Sequence, residues 1–265
     1  MPEALDARPP REVAARAEDA GVAKVALGFE QLLVLSLLGG AFIGIGACLS
    51  AVVGTGLEAV PWGLGRWLVG LSFSLGLMLV VLAGAELFTG NNLVVMAWVA
   101  KKVSGRALLR NWAWVYAGNF VGAVLTALLV FLAGTHRLAQ GAVGDAVLKA
   151  TLARLDQPLL QVLARAVLAN ALVCLAVWMA MGARSTVDKV FAVAWPVAAF
   201  VAAGFEHCVA NMFFFPWAWL IAFERSQSVD LIAAVVHNLI PVTVGNLVGG
   251  AGLVGLVYWR AYRAS

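Results

Sequence analysis

Two residues that could do chemistry, Glu206 and His207, stand side by side within a long apolar run, residues 190–223. A hydrocarbon core offers no water to such groups, so ionisable side chains in a membrane segment are costly and by default mark a function. Gly204 before them and Asn211 after them indicate a helix that breaks at membrane depth, which is tolerated only inside protein or beside a wet cavity. We therefore predict that His207 faces a pathway for a small polar solute.

A second polar interruption has a similar pattern, because Glu86 and Asn91 are five residues apart, as are Glu206 and Asn211. A broken helix leaves unpaired N–H groups with partial positive charge, which favour an anion. The hydroxyl of Thr89 and an imidazole with an ordinary pKa of about 6.5 could bind such an anion, and the imidazole could give it a proton. We expect the two carboxylates to brace the loops by accepting backbone N–H bonds rather than to meet the solute.

The composition is that of an integral membrane protein. Hydrophobic residues make up 63% of the chain, charged residues make up 12%, and the mean hydropathy is +0.92, whereas soluble domains are about half apolar and a quarter charged. Because a span takes roughly 20 apolar residues, the sequence predicts an all-α fold with six transmembrane helices, at about residues 29–53, 62–100, 112–133, 160–181, 190–223 and 231–258. The second and fifth stretches are too long for one helix, and each contains a polar break.

The halves of the chain share these patterns. A Gly-Asn-x-Val-Gly string occurs at residues 118–122 and again at 245–249, and the two copies of the breaks and strings are offset by 120 and 127 residues. Three spans per half predict an inverted repeat, in which the solute site lies between paired broken helices near the midplane. Asn119 and Asn246, inside the two strings, are expected to bind backbone across helices.

The predicted organisation is an N-terminal tail, residues 1–28, followed by a membrane transport domain, residues 29–265. Repeat one covers residues 29–134 and repeat two covers residues 158–259. The tail has no apolar signal-peptide core, and residues 13–22 are expected to form a short amphipathic helix. The three cysteines lie inside apolar segments and are expected to be core residues.

Basic residues predict the orientation, since cytoplasmic loops carry an excess of Lys and Arg. One predicted side carries twelve of them and the other carries six. Both termini are therefore predicted to be cytoplasmic, in the cell inner (plasma) membrane. The twelve basic residues on the predicted cytoplasmic side are Arg8, Arg11, Arg16, Lys24, Lys101, Lys102, Arg106, Arg110, Arg184, Lys189, Arg260 and Arg263. His136 and His237 fall near span ends and are expected to be solvated.

Four motifs closely resemble those of the formate/nitrite transporter family: ELFTGN at residues 86–91, NALVCLAVW at 170–178, GFEHCVANM at 204–212 and NLIPVTVGN at 238–246. The resemblance covers roughly residues 22–262. It implies an aquaporin-like protomer of six helices in a homopentamer, with one pathway per protomer for small monovalent anions such as formate, nitrite and hydrosulfide. The partners implied are such an anion, the lipid bilayer and further copies of the chain, with no nucleic acid and no cofactor.

The resemblance also implies roles for single residues. Thr89 and His207 belong to the two broken-helix loops on the substrate pathway, together with Asn170. Glu86, Asn91, Glu206 and Asn211 support those loops. The family usually has a Lys sixteen residues before the fourth-helix Asn, where this chain has Arg154, and Lys149 could substitute for it as the vestibule charge. The residues that match apolar constrictions are Phe73, Leu77, Phe88, Val173 and Phe200.

The leading hypothesis is passage of formate, as an anion/proton symport or a pH-dependent channel that uses His207. The strings at residues 205–212 and 240–243 look more like those of formate members than of nitrite members. A nitrite or hydrosulfide channel of the same family is the alternative, and an aquaporin-type neutral-solute channel is less favoured because both breaks lack Asn-Pro-Ala. A membrane enzyme using Glu206 and His207 is disfavoured, because a metal needs about three ligands and the sequence has no second His or Cys set at usable spacing.

Overall fold

The computed structural model describes residues 6–263, and within them the chain is helical with no strand. The first five residues of the predicted tail and the last two of the predicted transport domain lie outside this range. We number the helices α1 Pro10–Val25, α2 Phe29–Val53, α3 Trp62–Gly84, α4 Val95–Val99, α5 Gly105–Leu132, α6 Ala142–Leu155, α7 Leu159–Gly182, α8 Thr186–Ala202, α9 Cys208–Glu224 and α10 Leu231–Tyr262.

Five of these helices, α2, α3, α5, α7 and α10, are long and apolar enough to cross a membrane, and α9 is a shorter apolar helix. Helices suit that environment because every backbone polar group is satisfied within the segment. The third predicted span, residues 112–133, begins earlier than expected, at Gly105. Ser104 starts the helix by accepting a hydrogen bond from the Ala107 N–H, as N-cap residues do.

Both predicted interruptions are real breaks in the helices. Helix α3 ends at Gly84, at φ +88°, and the chain continues through extended Ala85 before a 3₁₀ turn, Gly90–Val94, leads into α4. After α8 it passes through Gly204, at φ +74°, and His207 becomes the N-cap of α9. Positive φ costs glycine little and other residues much, so a glycine stands where each helix must stop.

Glycines bring the helices into backbone contact in the same way in the two halves. A Cβ atom at Gly122 on α5 would lie 2.0 Å from the Leu37 carbonyl oxygen on α2. A Cβ atom at Gly249 on α10 would lie 2.0 Å from the Val167 carbonyl oxygen on α7. Any larger residue would therefore push the helices apart, and these two glycines close the two Gly-Asn-x-Val-Gly strings.

The predicted tail is largely one helix, α1, which is longer than expected and packs on the rest of the chain. Glu18 is buried and bonds to Arg263 at 2.9 Å and to Lys102 at 2.9 Å. Arg8 donates to the Ala183 carbonyl at 2.6 Å. Burial raises the pKa of Glu18, but the hydrogen bonds from Arg263 and Lys102 outweigh it and hold the pKa below its ordinary value. The described ends of the chain thus lie on one side, beside the loops after α4 and α7.

Candidate functional site

The two breaks meet at Thr89 and His207, which are both buried. The Thr89 Oγ1 atom lies 3.0 Å from His207 Nε2. His207 Nδ1 accepts a hydrogen bond from the Ala210 N–H at 3.2 Å, so in the neutral ring the hydrogen resides on Nε2. His207 then donates to the Thr89 oxygen, and the Thr89 hydroxyl hydrogen is left to donate to a third group.

The first break is braced by polar side chains around Glu86. Asn91 donates from Nδ2 to Glu86 Oε2 at 2.6 Å and to Asn111 Oδ1 at 3.0 Å. The ammonium of Lys24, at the end of α1, lies 2.5 Å from Glu86 Oε1. The partners of this carboxylate are thus side chains, rather than the backbone N–H groups expected from the sequence.

The second break is braced in the same way around Glu206. Asn211 donates from Nδ2 to Glu206 Oε2 at 2.7 Å and to Asn238 Oδ1 at 2.7 Å. A cation again faces the other carboxylate oxygen, because Arg154 Nε lies 3.5 Å from Glu206 Oε1. Here too side chains replace the expected backbone donors.

Two further asparagines attach the breaks to the long helices. Asn119 accepts from the Phe88 N–H at 2.8 Å and donates to the carbonyls of Glu86, at 2.8 Å, and Ser36, at 2.7 Å. Asn246 accepts from the Cys208 N–H at 2.9 Å and donates to the carbonyls of Glu206, at 3.0 Å, and Ala166, at 2.7 Å. The expectation that both bind backbone across helices is confirmed.

Several N–H groups that were expected to attract an anion are already hydrogen-bonded within the two breaks. Besides Phe88 and Cys208, Ala210 donates to the His207 ring, Asn91 donates to the Leu87 carbonyl and Asn211 donates to the His207 carbonyl. The polar groups left at the junction are mainly side chains. Thr89 and His207, rather than helix-end N–H groups, are therefore the main polar groups available there.

The five candidate constriction residues are all buried. Phe200 contacts Phe73 edge-to-face, with ring centroids 5.6 Å apart, and stacks on His207 at 5.9 Å. Phe88, in the first break, packs edge-to-face on Tyr116 at 4.9 Å. Phe73 and Phe200 thus form an apolar layer against the His207 imidazole.

A cavity lies on each side of this layer. The larger, about 1050 Å³, is on the α1 side and is lined by residues that include Lys24, Leu77 and Glu86. The smaller, about 250 Å³, is lined by residues that include Phe73 and His207. Phe73 and Leu77 are one turn apart on α3, so the apolar layer between the cavities is about one helical turn thick.

The cations predicted for the vestibule differ in position. Arg154 lines the smaller cavity together with Glu206. Lys149, one turn earlier on α6, is exposed and is not among the residues that line this cavity. Arg66 on α3 also lines it, and the sequence reasoning did not single this residue out.

Asn170 lies in a buried amide cluster rather than against either cavity. It donates from Nδ2 to Asn92 Oδ1 and to the Asn246 carbonyl, both at 2.7 Å, and Asn92 donates to the Phe88 carbonyl at 3.0 Å. Asn170 Oδ1 is buried without a hydrogen-bond partner in residues 6–263. The cluster links α7 to the first break.

Sequence reasoning missed Asn111 and Asn238, although a signal for them existed. Each stands eight residues before the asparagine of its Gly-Asn-x-Val-Gly string, Asn119 or Asn246. The expectation that His136 is solvated is wrong, because the turn after α5 folds over the end of α9. His136 is buried there, stacked on Phe131 and 2.7 Å from Glu224 Oε2, whereas His237 is exposed as expected.

Comparison with known proteins identifies the family of this chain. A family model described as formate/nitrite transporter matches residues 11–260. The chain is 39% identical over 267 residues to the formate channel FocA of Escherichia coli (strain K12), covering 96% of this chain and 94% of that protein.

Two solved structures share the fold. A pentameric formate channel with formate bound matches at a TM-score of 0.81 and 38% identity, over 88% of this chain and 97% of that one. An FNT family ion channel matches at a TM-score of 0.84 and 30% identity, over 94% of this chain and 98% of that one. These relatives are channels and transporters, which are not enzymes. On this evidence the chain belongs to the formate/nitrite transporter family.

Proposed function

We propose that this chain passes small monovalent anions, formate in the first place, across the inner (plasma) membrane, with His207 as the central group. The observation that carries the proposal is the buried contact between Thr89 and His207, set beside an apolar layer with a cavity on each side. The relatives named as formate channels support formate as the first substrate to test.

In the proposed mechanism an anion enters from a cavity and accepts a hydrogen bond from the Thr89 hydroxyl. His207 takes up a proton at Nδ1, and the Ala210 N–H releases its hydrogen bond to that nitrogen. The Nε2 proton then passes to the Thr89 oxygen while the Thr89 hydroxyl gives its own proton to the anion. The resulting neutral acid crosses the apolar layer at far lower cost than a bare charge. Without that proton transfer the same residues serve a pH-dependent anion channel.

The proposal assigns the remaining residues to supporting roles. The constriction is formed by Phe73, Leu77, Phe88, Val173 and Phe200. Asn170 is assigned to the stretch of the pathway between the two cavities, where its buried Oδ1 has no hydrogen-bond partner in residues 6–263. Glu86, Asn91, Glu206 and Asn211 support the loops. Arg154 is the vestibule charge, and Lys149 adds to the field outside the cavity.

The proposed architecture is six spans in an inverted repeat, with the second span formed by α3 and α4 and the fifth by α8 and α9. Repeat one covers residues 29–134 and repeat two covers residues 158–259, within a transport domain of residues 29–265 that follows the tail, residues 1–28. The matching bonds of Asn119 and Asn246 support the repeat. A homopentamer, with one pathway per protomer, is proposed from the pentameric relative.

Both termini are proposed to be cytoplasmic. The uneven distribution of Lys and Arg supports that side, and the ion pair between Glu18 and Arg263 joins the two ends of the described chain. The cavity of about 1050 Å³ then faces the cytoplasm, and the one that contains His207 faces outward.

Formate uptake into proteoliposomes tests the proposal, with wild type beside His207→Asn at pH 7 and pH 5. We expect uptake to rise at pH 5 and to collapse in the variant, while His237→Asn, an exposed control, behaves as wild type. Equal uptake by wild type and His207→Asn would reduce His207 to a structural residue. Wild-type uptake that does not depend on pH would contradict the proton-transfer step.

Nitrite is the second candidate substrate, because the family model carries both names and a pocket for one small anion rarely excludes another of similar size. Hydrosulfide is a third. The same vesicles, challenged with nitrite as a competitor of labelled formate, rank these anions. Rapid glycerol permeation that formate does not affect would instead favour a neutral-solute channel.

A further inference from the structure

The smaller cavity, about 250 Å³, is lined by two arginines that come from distant parts of the chain. Arg66 is in the first turns of α3, and Arg154 is in the last turn of α6. Both face the cavity that also exposes His207 and Glu206. The proposed function uses only Arg154, as a positive charge, and assigns nothing to Arg66.

The guanidinium of Arg66 is held by backbone carbonyls at the end of α8. It donates from Nε to the Ala202 carbonyl at 2.9 Å and from Nη2 to the Val201 carbonyl at 2.6 Å. A cation at a helix C-terminus is favourable there, since those carbonyls lack partners within the helix. Across residues 6–263, Arg66 Nη1 has no hydrogen bond, so this nitrogen is left for a ligand.

The guanidinium of Arg154 is also fixed in position. Nη1 donates to the Ala150 carbonyl at 3.1 Å, Nε lies 3.5 Å from Glu206 Oε1, and the group sits 4.8 Å above the centroid of the Phe214 ring. Stacking on an aromatic face in this way suits arginine better than lysine. The Nη2 nitrogen has no hydrogen bond to the described part of the chain.

The charges around this cavity leave room for one anion. Two guanidinium groups face one carboxylate, that of Glu206, whose other oxygen is already bonded to Asn211 and Asn238. With His207 neutral, the cavity keeps one net positive charge. A monovalent anion would neutralise it.

We propose that Arg66 and Arg154 together form a recognition site for planar two-oxygen anions, meaning carboxylates and nitrite, at the entrance to His207. Each guanidinium keeps one nitrogen without a partner in the described residues, Nη1 of Arg66 and Nη2 of Arg154, so each oxygen of such an anion can accept one hydrogen bond from a group held in a fixed direction. An ammonium in the same place is a point charge on a flexible stem. Chloride has a single centre, so it gains only the electrostatic attraction of the two guanidinium groups. The site therefore selects by shape as well as by sign, and this inference rests on the proposed function.

The test compares Arg→Lys with Arg→Gln at each position, measuring the KM and maximal rate of formate uptake into proteoliposomes. Lys keeps the charge and loses the fixed direction of the free guanidinium nitrogen, whereas Gln loses the charge as well. We expect Arg154→Lys and Arg66→Lys each to raise KM about tenfold, nearly as much as the Gln variants, because one of the two directed, charge-assisted hydrogen bonds to the anion is lost. Their maximal rates should change much less, since the reacting imidazole is intact.

Competition supplies a second measurement. Nitrite should inhibit formate uptake by the wild type far more than chloride does. In both Lys variants the ratio of inhibition by nitrite to inhibition by chloride should be several-fold smaller. Arg137→Lys, an exposed arginine on the turn after α5, is the matched control and should leave KM and the inhibition pattern unchanged.

The variants at Arg66 and at Arg154 test the inference separately. If the variant at one position fails to assemble, the variant at the other position still decides it. Lys variants with wild-type KM and wild-type nitrite preference would overturn the inference and leave only a charge requirement. A wild-type protein without formate uptake would overturn the proposed function, and this inference with it. An active wild type with unaltered Lys variants overturns the inference alone.

Discussion

Asn119 and Asn246 occupy equivalent places in the two halves, each accepting one backbone N–H from a break and donating to two carbonyls. Each side chain therefore satisfies three buried backbone groups. The breaks can exist at that depth only because these amides replace the hydrogen bonds that a continuous helix would supply.

Replacing Asn246 by Leu keeps its approximate volume and removes all three bonds. Each buried backbone group left unpaired costs about 1–3 kcal/mol, and 1 kcal/mol shifts Tm by roughly 2–4 °C for a chain of this size. We expect the apparent Tm of the purified protein in detergent to fall by roughly 10 °C. Gln31→Leu, at an exposed amide on α2, should leave it nearly unchanged. An equal effect of both substitutions would contradict the bracing role.

Lys24 and Glu86 form a largely buried ion pair between α1 and the first break. Removing one partner leaves the other charge buried and unpaired, which typically lowers the free energy of unfolding by about 3–5 kcal/mol. We expect Lys24→Met to lower both Tm and formate uptake, and Lys24→Met combined with Glu86→Gln to recover part of the Tm. Thermal unfolding of the two single variants and the double variant gives the coupling energy. Strictly additive effects would rule out a direct pair.

The docking of α1 should depend weakly on pH in the range where uptake is measured. Because the pKa of Glu18 is held below its ordinary value, its ion pairs contribute fully above the ordinary pKa of about 4.3. Their contribution is lost only as the pH falls through the lower value in the folded protein. Proteinase K should therefore cleave wild-type α1 equally slowly at pH 7 and pH 5.

The variant Glu18→Gln removes that charge at every pH. We expect proteinase K to cleave its α1 several-fold faster than that of wild type at pH 7. Glu12→Gln, at an exposed carboxylate that pairs only on the surface, should have little effect, since such pairs contribute about 0–1 kcal/mol. Release of wild-type α1 already at pH 5 would show that another group controls its docking.

The ring of Phe200 contacts both Phe73 and His207, and we predict that it limits the size of the solute that passes. Truncation in Phe200→Ala opens space beside the imidazole, so larger carboxylates should enter. We expect the acetate-to-formate uptake ratio to rise about tenfold, the usual effect of a pocket that gains room for one methyl group. Phe223→Ala, at an exposed ring on α9, is the control. An unchanged ratio would place the constriction elsewhere.

Much of the fold followed from local patterns. Apolar length predicted the long helices, and Glu86 and Glu206 within apolar runs located both breaks, because an ionisable group at membrane depth needs irregular, polar surroundings. Matching spacing in the two halves predicted an inverted repeat and singled out Asn119 and Asn246. The start of α5 was predicted too late, since Arg106 and Arg110 lower the hydropathy of a turn that is nonetheless helical.

The sequence by itself determined that this is a membrane protein with two breaks and a histidine at one of them. The tertiary structure alone decided which groups meet there. Lys24 reaches Glu86 from α1, Arg154 reaches Glu206 from α6 and Arg66 joins the same cavity from α3. Such pairings depend on where distant segments pack and carry no local periodicity, so neither spacing nor composition could have revealed them.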